Sequence, residues 1–248
     1  MAEAKAAVRS LFDHLASEYV AQREREFSFV SQKRLVLEML SGARGRILEI
    51  GCGAGYTLPD LVDMGFEVDA IDLSEQMVAR ASEHVRRHRP GASCRVATGD
   101  IERLDFATAQ FDAVLLMGVL EYLPSYAQAI AELARVLKPG GCAVIAVPNG
   151  ASAYHVTRTM YRKVRRALGA ASGQACAGNP CLPWQLDGDL AAAGMRKIEC
   201  AACNFIFFPL KDRAPRLSDR INRLLTPAAR RPSAPLLGAQ YLAKFQKT

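Results

Sequence analysis

The chain has 248 residues, of which half are hydrophobic and 23% are charged, with a mean hydropathy near zero and a formal net charge of +7. So much apolar side chain excludes a largely disordered protein and suits one large α/β domain or two small ones. The longest uncharged apolar run, Ala113 to Leu120, is far shorter than the roughly 18 residues that a membrane-spanning helix needs.

The first 45 residues are predicted to form a helical cap, because Ala6–Val20 and Phe29–Leu40 carry apolar residues at helical spacing. The opening MAEAKAAVRS lacks the apolar stretch of an export signal, so we expect a cytoplasmic protein. Seven cysteines, an odd number scattered along the chain, fit reduced thiols in a cytosol better than a disulfide framework.

Residues 46–149 are predicted to form the core, where short apolar runs alternate with amphipathic ones. Several apolar runs are almost continuous, as in a parallel sheet that is covered on both faces. This alternation predicts right-handed βαβ units and an α/β fold with a doubly wound, Rossmann-like sheet. The segment Lys138-Pro139-Gly140-Gly141 is expected to end a helix. The predicted strands are Arg46–Ile50, Glu67–Ile71, Ser93–Thr98, Phe111–Met117 and Cys142–Val147, and the predicted helices are Leu58–Met64, Glu75–Arg89 and Tyr126–Leu137.

Residues 150–248 are expected to complete the same domain on the substrate side, because the sequence shows no second core. Two strand-like segments, Met195–Phe208 and Ala239–Lys247, are predicted to close the sheet as an antiparallel edge pair. The expected fold is a mostly parallel seven-stranded sheet with helices on both faces, within a single domain over residues 1–248. Helices are predicted here at Tyr154–Leu168, Trp184–Ala193 and Leu217–Leu225.

Charge divides the chain unevenly. Residues 1–150 carry 16 basic and 20 acidic side chains, a net charge of −4, whereas residues 151–248 carry 16 basic and 5 acidic ones, a net charge of +11. The basic half could be a solvated face, a lid that also meets an anionic membrane surface or an acidic lipid-like substrate, or an RNA-binding surface. RNA-binding proteins usually add a recognisable domain, which this sequence lacks, so we favour a small or amphiphilic substrate over nucleic acid. Five cations share one predicted helix without an acid: Arg158, Arg162, Lys163, Arg165 and Arg166.

The most informative stretch is ILEIGCGAG, which ends at Gly55 and lies where the first strand turns into the first helix. Its alternating glycines leave the turn without Cβ atoms, so a ligand can approach the backbone and the N–H groups of the next helix. The spacing G-x-G-x-G differs from the G-x-G-x-x-G of dinucleotide sites. Glu49, just before the glycines, would repel a pyrophosphate and attract a cationic ligand. The alternative is a tight turn without a ligand.

Two further acids follow predicted strands. Asp72 stands 21 positions after Gly51, near the spacing at which an acid meets a ribose in nucleotide-binding βαβ units. Its alternative role is to cap the next helix, for which Ser74 is better suited. Asp100 would accept a hydrogen bond from an exocyclic amine while Ile101 packs on a base, unless it only forms a local Asp turn. The carboxyl ends of neighbouring parallel strands line one crevice, where open α/β sheets bind ligands.

Five segments, in this order, resemble the successive motifs of class I S-adenosylmethionine-dependent methyltransferases: ILEIGCGAG, VDAIDLSEQMV, ATGDI, FDAVLLMGVLEYL and ARVLKPGGCAVIAVPN. The resemblance spans about 40% of the chain, over residues 46–149. The segment FDHLASEY, from Phe12 to Tyr19, is similar to the N-terminal helix of small-molecule members, including quinone C-methylating ones. The resemblance implies S-adenosylmethionine as the cofactor and methyl transfer as the reaction.

The resemblance also implies which residues hold the cofactor. Glu49, Gly51 and Gly53 would flank its methionine part, and Asp72 would meet its ribose. The other predicted cofactor-binding residues are Cys52, Gly55, Leu73 and Met77, then Asp100 and Ile101 for the adenine, and Met117 and Gly118 near the sulfonium.

No single catalytic residue is indicated. The methyl group of a sulfonium is already electrophilic, so a metal is not required, and a base is needed only where the nucleophile keeps its proton. Tyr19 would also close over the cofactor, and members of the family often carry His where Tyr122 stands. The candidate bases are His14, Tyr19, Tyr122 and His155.

A zinc site is the alternative use of the cysteines, because Cys176 with Cys181 and Cys200 with Cys203 have spacings that suit thiolate ligands. Cys200 and Cys203 lie in a predicted strand, where a separation of three residues sends two side chains to opposite faces. We therefore predict buried thiols and no metal.

Three functions remain open. The first is methyl transfer to an O, N or C nucleophile of a small aromatic, quinone-like or lipid-like acceptor, the second is RNA methylation, and the third is non-catalytic binding of S-adenosylmethionine. The segment Leu116-Met117-Gly118-Val119-Leu120 replaces the Asn-Pro-Pro-Tyr or Asp-Pro-Pro-Tyr signature of enzymes that methylate base amines or glutamine amides. The small-molecule function is therefore favoured.

Overall fold

A computed structural model describes residues 2–16, 26–167, 179–206, 210–231 and 233–248. The strands are β1 (Arg46–Ile50), β2 (Glu67–Asp72), β3 (Cys94–Thr98), β4 (Phe111–Met117), β5 (Leu137–Pro148), β6 (Met195–Cys203) and β7 (Gln240–Lys247). The helices are α1 (Ala2–Leu15), α2 (Phe27–Leu40), α3 (Leu58–Asp63), α4 (Glu75–His88), α5 (Ala127–Val136), α6 (Ala153–Ala167), α7 (Pro183–Ala192), α8 (Leu210–Arg213), α9 (Pro215–Leu225) and α10 (Ala234–Leu237).

The strands form one sheet in the order β3-β2-β1-β4-β5-β7-β6. Strands β1 to β5 are parallel, and β7 runs antiparallel between β5 and the edge strand β6. The winding direction changes between β1 and β4, which opens a crevice at the carboxyl ends of the strands. The predicted doubly wound, seven-stranded fold with an antiparallel C-terminal edge pair is confirmed.

Helices cover both faces of the sheet, because successive strand residues point to opposite sides. Ile47 and Leu115 join a core that includes residues of α2, α3 and α4. Leu48 and Leu116 join the core on the other face, with residues of α5 and α7. The nearly continuous apolar runs of β1 and β4 are therefore buried on both sides, as the sequence predicts.

The largest difference from the predicted elements lies at the start of β5. The segment from Lys138 to Gly141, expected to end a helix, instead belongs to the strand, which begins at Leu137. The ladder with β4 shifts between Phe111 and Ala113, and Gly140 adopts a φ of +77°. The predicted boundary is wrong because turn-forming residues stand inside an irregular strand.

The apolar run predicted to continue β6 leaves the sheet after Cys203. Asn204 adopts a φ of +60°, which asparagine tolerates better than most residues, and its carbonyl accepts hydrogen bonds from the N–H groups of Ile206 and Ala239. The backbone N–H of the buried Phe205 donates to a side chain of α9. The run from Asn204 to Ile206 is therefore a buried turn, and residues 207–209 lie outside the described residues.

The N-terminal helix begins four residues earlier than predicted and is described as far as Leu15. Tyr19, which lies in the predicted helix Ala6–Val20, and Leu168, the predicted end of α6, are both outside the described residues. Among the residues that the structure describes, no helix is long and apolar enough to cross a membrane.

The two C-terminal cysteines lie on opposite faces of the sheet. Cys203 is buried in one core, whereas Cys200 packs against the other, as alternation along β6 predicts. Cys176 lies outside the described residues. Over the described ranges, no cluster of His, Cys, Asp and Glu side chains is placed to hold a metal ion.

Candidate functional site

A cleft of about 800 Å³, open to solvent, lies at the carboxyl ends of β1, β2, β3 and β4. Helix α1 and the turn after β4 form its other walls, and most of its lining is apolar. The lining residues are Lys5, Val8, Phe12, Ile50, Gly51, Gly53, Asp72, Leu73, Gly99, Asp100, Ile101, Met117, Gly118, Val119, Tyr122, Leu123 and Pro124.

The turn after β1 forms the floor of the cleft. Gly51 has a φ of +71°, and a Cβ atom there would lie 2.3 Å from Cγ2 of Val119, so only glycine fits without a shift. The N–H groups of Gly51 and Cys52 both donate to the carbonyl of Ile71, at 2.8 and 3.0 Å. These bonds fix the turn against β2 and leave bare backbone facing the cleft.

Asp72 braces this turn from the end of β2. Its Oδ2 accepts from the backbone N–H of Gly53 at 2.8 Å, and its Oδ1 accepts from that of Ser74 at 2.9 Å. Burial raises the pKa of Asp72, while the hydrogen bonds from Ser74 and Gly53 oppose that shift. Ser74 caps α4, since its Oγ accepts from the N–H of Met77. Asp72 lines the cleft, and a carboxylate has more acceptor positions than these bonds use, so it can also accept from a ligand.

Glu49 is buried directly behind the floor. Its Oε1 accepts from the hydroxyl of Thr57 at 2.5 Å, and its Oε2 is buried with no hydrogen-bond partner. Burial raises the pKa of Glu49 to about 8, the bond from Thr57 opposes the shift, and Asp60 and Asp72 add repulsion. An unpartnered buried carboxyl oxygen is costly, so a cation near Oε2 would stabilise the ionised form.

Asp100 follows β3 and lines the cleft beside Ile101. Its Oδ1 accepts from the backbone N–H of Glu102 at 3.0 Å, so the local Asp turn considered from the sequence is present. Its Oδ2 pairs with the ammonium of Lys5, which also contacts Glu102. Asp100 therefore combines a local structural bond with a charged contact at the wall of the cleft.

Helix α1 covers one side of the cleft. The sequence predicts this helix but not which of its residues line the cleft. Lys5, Val8 and Phe12 line the cleft from one face of the helix. The hydroxyl of Ser74 donates to the carboxylate of Asp13 at 2.5 Å and ties α1 to the start of α4. The helical spacing of Lys5, Val8 and Phe12 is a signal for a shared face, but the partner of that face is set by tertiary structure.

Eight of the twelve predicted cofactor-binding residues line the cleft: Gly51, Gly53, Asp72, Leu73, Asp100, Ile101, Met117 and Gly118. Glu49 lies behind it, and Cys52 and Met77 are core side chains. Gly55 has a φ of +80°, and a Cβ atom there would lie 2.9 Å from Cα of Ala81, so its missing side chain lets α4 pack on the turn.

One of the candidate bases lies in the cleft. Tyr122 lines it, and its ring meets that of Phe12 edge to face, with centroids 5.3 Å apart. His14 is exposed in the last turn of α1, and His155 is half-buried in the first turn of α6; neither lines the cleft. Burial, followed by the charge of Arg158, lowers the pKa of His155. Tyr19 lies outside the described residues.

Comparison with known proteins identifies the motif-bearing core. Residues 48–145 match a family model described as a methyltransferase domain. A malonyl-[acyl-carrier protein] O-methyltransferase of Enterobacter lignolyticus is 35% identical over 137 residues, which cover 55% of this chain and 51% of the relative. A phosphatidylethanolamine N-methyltransferase of Cereibacter sphaeroides is 34% identical over 124 residues, which cover 48% of this chain and 61% of the relative. The chain thus spans between about half and three fifths of the length of these relatives.

A solved structure shares the fold over most of its length. The S-adenosylmethionine dependent methyltransferase from Mesorhizobium loti matches with a TM-score of 0.61, over 88% of this chain and 98% of that chain. The two sequences are 19% identical. At this identity the likeness establishes the common architecture.

The raised pKa of Glu49 predicts a pH-dependent stability. Its value is 4.5 in the absence of the fold and about 8 in the folded chain. Because folding raises the pKa, the stabilisation is complete below about pH 4.5 and is lost as the pH rises through 8. The variant Glu49→Gln does not titrate at this position. As the pH rises, the free energy of unfolding of the wild type should therefore fall relative to that of the variant, by at most about 1.4 kcal/mol per pH unit.

Urea unfolding of both proteins at several pH values between 5 and 8 measures this difference. A constant difference across that range would contradict the raised pKa of Glu49.

Proposed function

We propose that this chain, which carries the domain of class I S-adenosylmethionine-dependent methyltransferases, transfers a methyl group from S-adenosylmethionine to a small-molecule acceptor. The observation that carries the proposal is the cleft itself, with a glycine turn and acids at the ends of three neighbouring parallel strands. Such a crevice is the ligand site of open α/β sheets. The named relatives, one of which is a phosphatidylethanolamine N-methyltransferase, support a small or lipid-like acceptor.

The residues of the cleft fit a nucleoside sulfonium. The unpartnered Oε2 of Glu49 suits the cationic, methionine-bearing end, and the free acceptor positions of Asp72 suit two ribose hydroxyls. Asp100 and Ile101 would meet the adenine with one polar and one apolar surface. When bound, S-adenosylmethionine supplies an electrophilic methyl group.

The chain contributes positioning and the exclusion of water. Met117 ends β4, and Gly118 follows it. Both border the methyl-transfer side of the cleft in the proposed complex, while Val8 and Phe12 cover it from α1. Holding a nucleophile in line with the methyl group contributes several kcal/mol, about 7 at the lower end of well-oriented systems. Tyr122 is the one candidate base in the described lining, and as the phenolate it would accept a proton only from an acceptor that must lose one.

The acceptor side of the cleft favours an apolar or aromatic molecule. Val119, Leu123 and the ring of Tyr122 form this wall, together with Phe12 from α1. Phosphate groups of RNA would need cations there, and Lys5, the one Lys or Arg among the described lining residues, is already paired with Asp100 and Glu102. An aromatic, quinone-like or lipid-like acceptor therefore agrees with this wall better than RNA does. The cytoplasmic location expected from the sequence stays a prediction.

Replacing Asp72 tests the cofactor assignment. Asp72→Ala removes two hydrogen bonds to the backbone and the acceptors proposed for the ribose, so the affinity for S-adenosylhomocysteine should fall at least about tenfold. Calorimetric titration measures the affinity. The matched control is Asp63→Ala, which removes an exposed acid paired with Arg89 and should leave binding unchanged. Equal affinity of Asp72→Ala and the wild type would exclude Asp72 from the site.

Transfer of a labelled methyl group tests the reaction and its acceptor class. The purified chain is incubated with methyl-labelled S-adenosylmethionine and, separately, with a lipid extract, an extract of aromatic and quinone metabolites, and total RNA. We expect label in one of the two small-molecule extracts and none in RNA. Label in RNA alone would favour an RNA methyltransferase, and cofactor binding without any labelled product would favour the non-catalytic alternative.

A further inference from the structure

We propose that helix α6 (Ala153–Ala167) docks this chain onto an anionic membrane surface beside the cleft. The docking does not depend on methyl transfer. Delivery of a lipid-like acceptor from the bilayer to the cleft rests on the proposed function.

Helix α6 leaves an apolar stripe in solvent. None of its residues is buried. Val156, Met160 and Val164 recur every four residues, so they share one side of the helix, and their exposed fractions are 45%, 62% and 57%. Single exposed apolar side chains are common on protein surfaces, whereas a continuous stripe of them marks an interaction site.

The same helix carries several positive charges and no negative one. Its five cations, from Arg158 to Arg166, have no acidic residue among them. No salt bridge in the described parts of the chain involves any of the five. A basic amphipathic helix with one apolar side and cations around the rest has the composition of helices that lie in the interface of anionic membranes.

Helix α4 shows what a basic helix with an internal role looks like in this same chain. Its cations Arg86 and Arg87 pair with Glu83, and its apolar side chains Met77 and Val85 are buried. Helix α6 differs on both counts, in its exposed apolar stripe and in its unpaired charge. These two differences favour a docking surface on α6 over an ordinary solvated face.

Helix α6 begins at the same edge of the sheet as the cleft, because it follows the carboxyl end of β5, which is parallel to β4. The N–H of Gly118, which lines the cleft, donates to the carbonyl of Ala146 on β5 at 3.0 Å. Ser152, six residues later, bonds through its Oγ to the carbonyl of Asn149 and to the N–H of His155, which fixes the first turn of α6. Helix α10, with its exposed Leu236, packs against α6. A membrane that covers α6 would therefore lie near the acceptor side of the cleft.

The combination of stripe and charge selects among possible partners. RNA would pair with the cations and leave the stripe of Met160 and Val164 in water. A second copy of α6 would cover the stripe and bring ten like charges together. An anionic bilayer surface satisfies both features at once, because its headgroups attract Lys and Arg and its acyl boundary accepts apolar side chains.

Co-sedimentation of the full chain with vesicles tests the docking. One vesicle type contains phosphatidylcholine alone, and the other contains phosphatidylcholine with about one third phosphatidylglycerol. We expect binding to the anionic vesicles that weakens as salt is added, with little binding to the neutral ones. Comparable binding to both types, or binding to neither, would overturn the proposal.

Matched variants assign the binding to α6. Arg162→Ala with Arg166→Ala removes two charges from α6 and should weaken binding about tenfold or more. Arg86→Ala with Arg87→Ala removes two charges from α4 and should leave binding nearly unchanged. Met160→Ser with Val164→Ser tests the stripe and should also weaken binding. Equal loss from the α4 and α6 charge variants, or retention of binding by both α6 variants, would contradict docking through α6.

Two further measurements separate this proposal from its alternatives. The affinity for S-adenosylhomocysteine should be the same in the wild type and in all these variants. If the wild type does not bind S-adenosylhomocysteine but does bind anionic vesicles, the proposed function is refuted and the docking of α6 still holds. Binding to RNA in place of anionic vesicles, or a dimer in solution that the Met160→Ser and Val164→Ser changes dissociate, would overturn the membrane as the partner.

Discussion

The carboxylate of Asp72 joins the three parts of the chain on which the cleft depends. It ends β2, accepts from the N–H of Gly53 in the turn after β1, and accepts from the N–H of Ser74, which caps α4. These bonds connect the glycine turn and the start of α4 through one side chain. Asp72 also lines the cleft, so the side chain that fixes the turn is the same one that is proposed to contact the ribose.

Glu49 is the second residue on which the site depends, because its carboxyl group is buried. Its raised pKa of about 8 shows that the fold holds this group at a cost in its ionised form. Such groups concentrate at functional sites, since a ligand of opposite charge can offset the cost. Helix α1 forms one wall of the cleft, where Lys5 pairs with Asp100 and Glu102 and the ring of Phe12 packs against that of Tyr122.

The sequence predicts the motif-bearing part of the fold well, because several strands there are nearly continuous apolar runs, and Asp72 and Asp100 stand at or just after the carboxyl end of a strand. Asp72 and Asp100 reach one cleft for that reason alone. The cover contributed by Lys5 was not predictable, since its contact with Asp100 joins residues 95 positions apart. The start of β5 was predicted wrongly because the turn residues up to Gly141 lie within a bulged strand. The region after residue 150 contains none of the family motifs, so the role proposed for it is inferred from its exposed apolar side chains and its charge.

The proposed function requires that this cleft bind S-adenosylmethionine, and also its demethylated product S-adenosylhomocysteine, through Glu49 and Asp72. Calorimetric titration of the folded chain with S-adenosylhomocysteine at pH 7, in two buffers of different ionisation enthalpy, tests it most directly. We expect one ligand per chain and a net release of protons, because the pKa of Glu49 is raised to about 8 in the free chain and the ligand's ammonium group would favour the ionised carboxylate. Absence of binding heat in both buffers, or binding with no proton release, would contradict it.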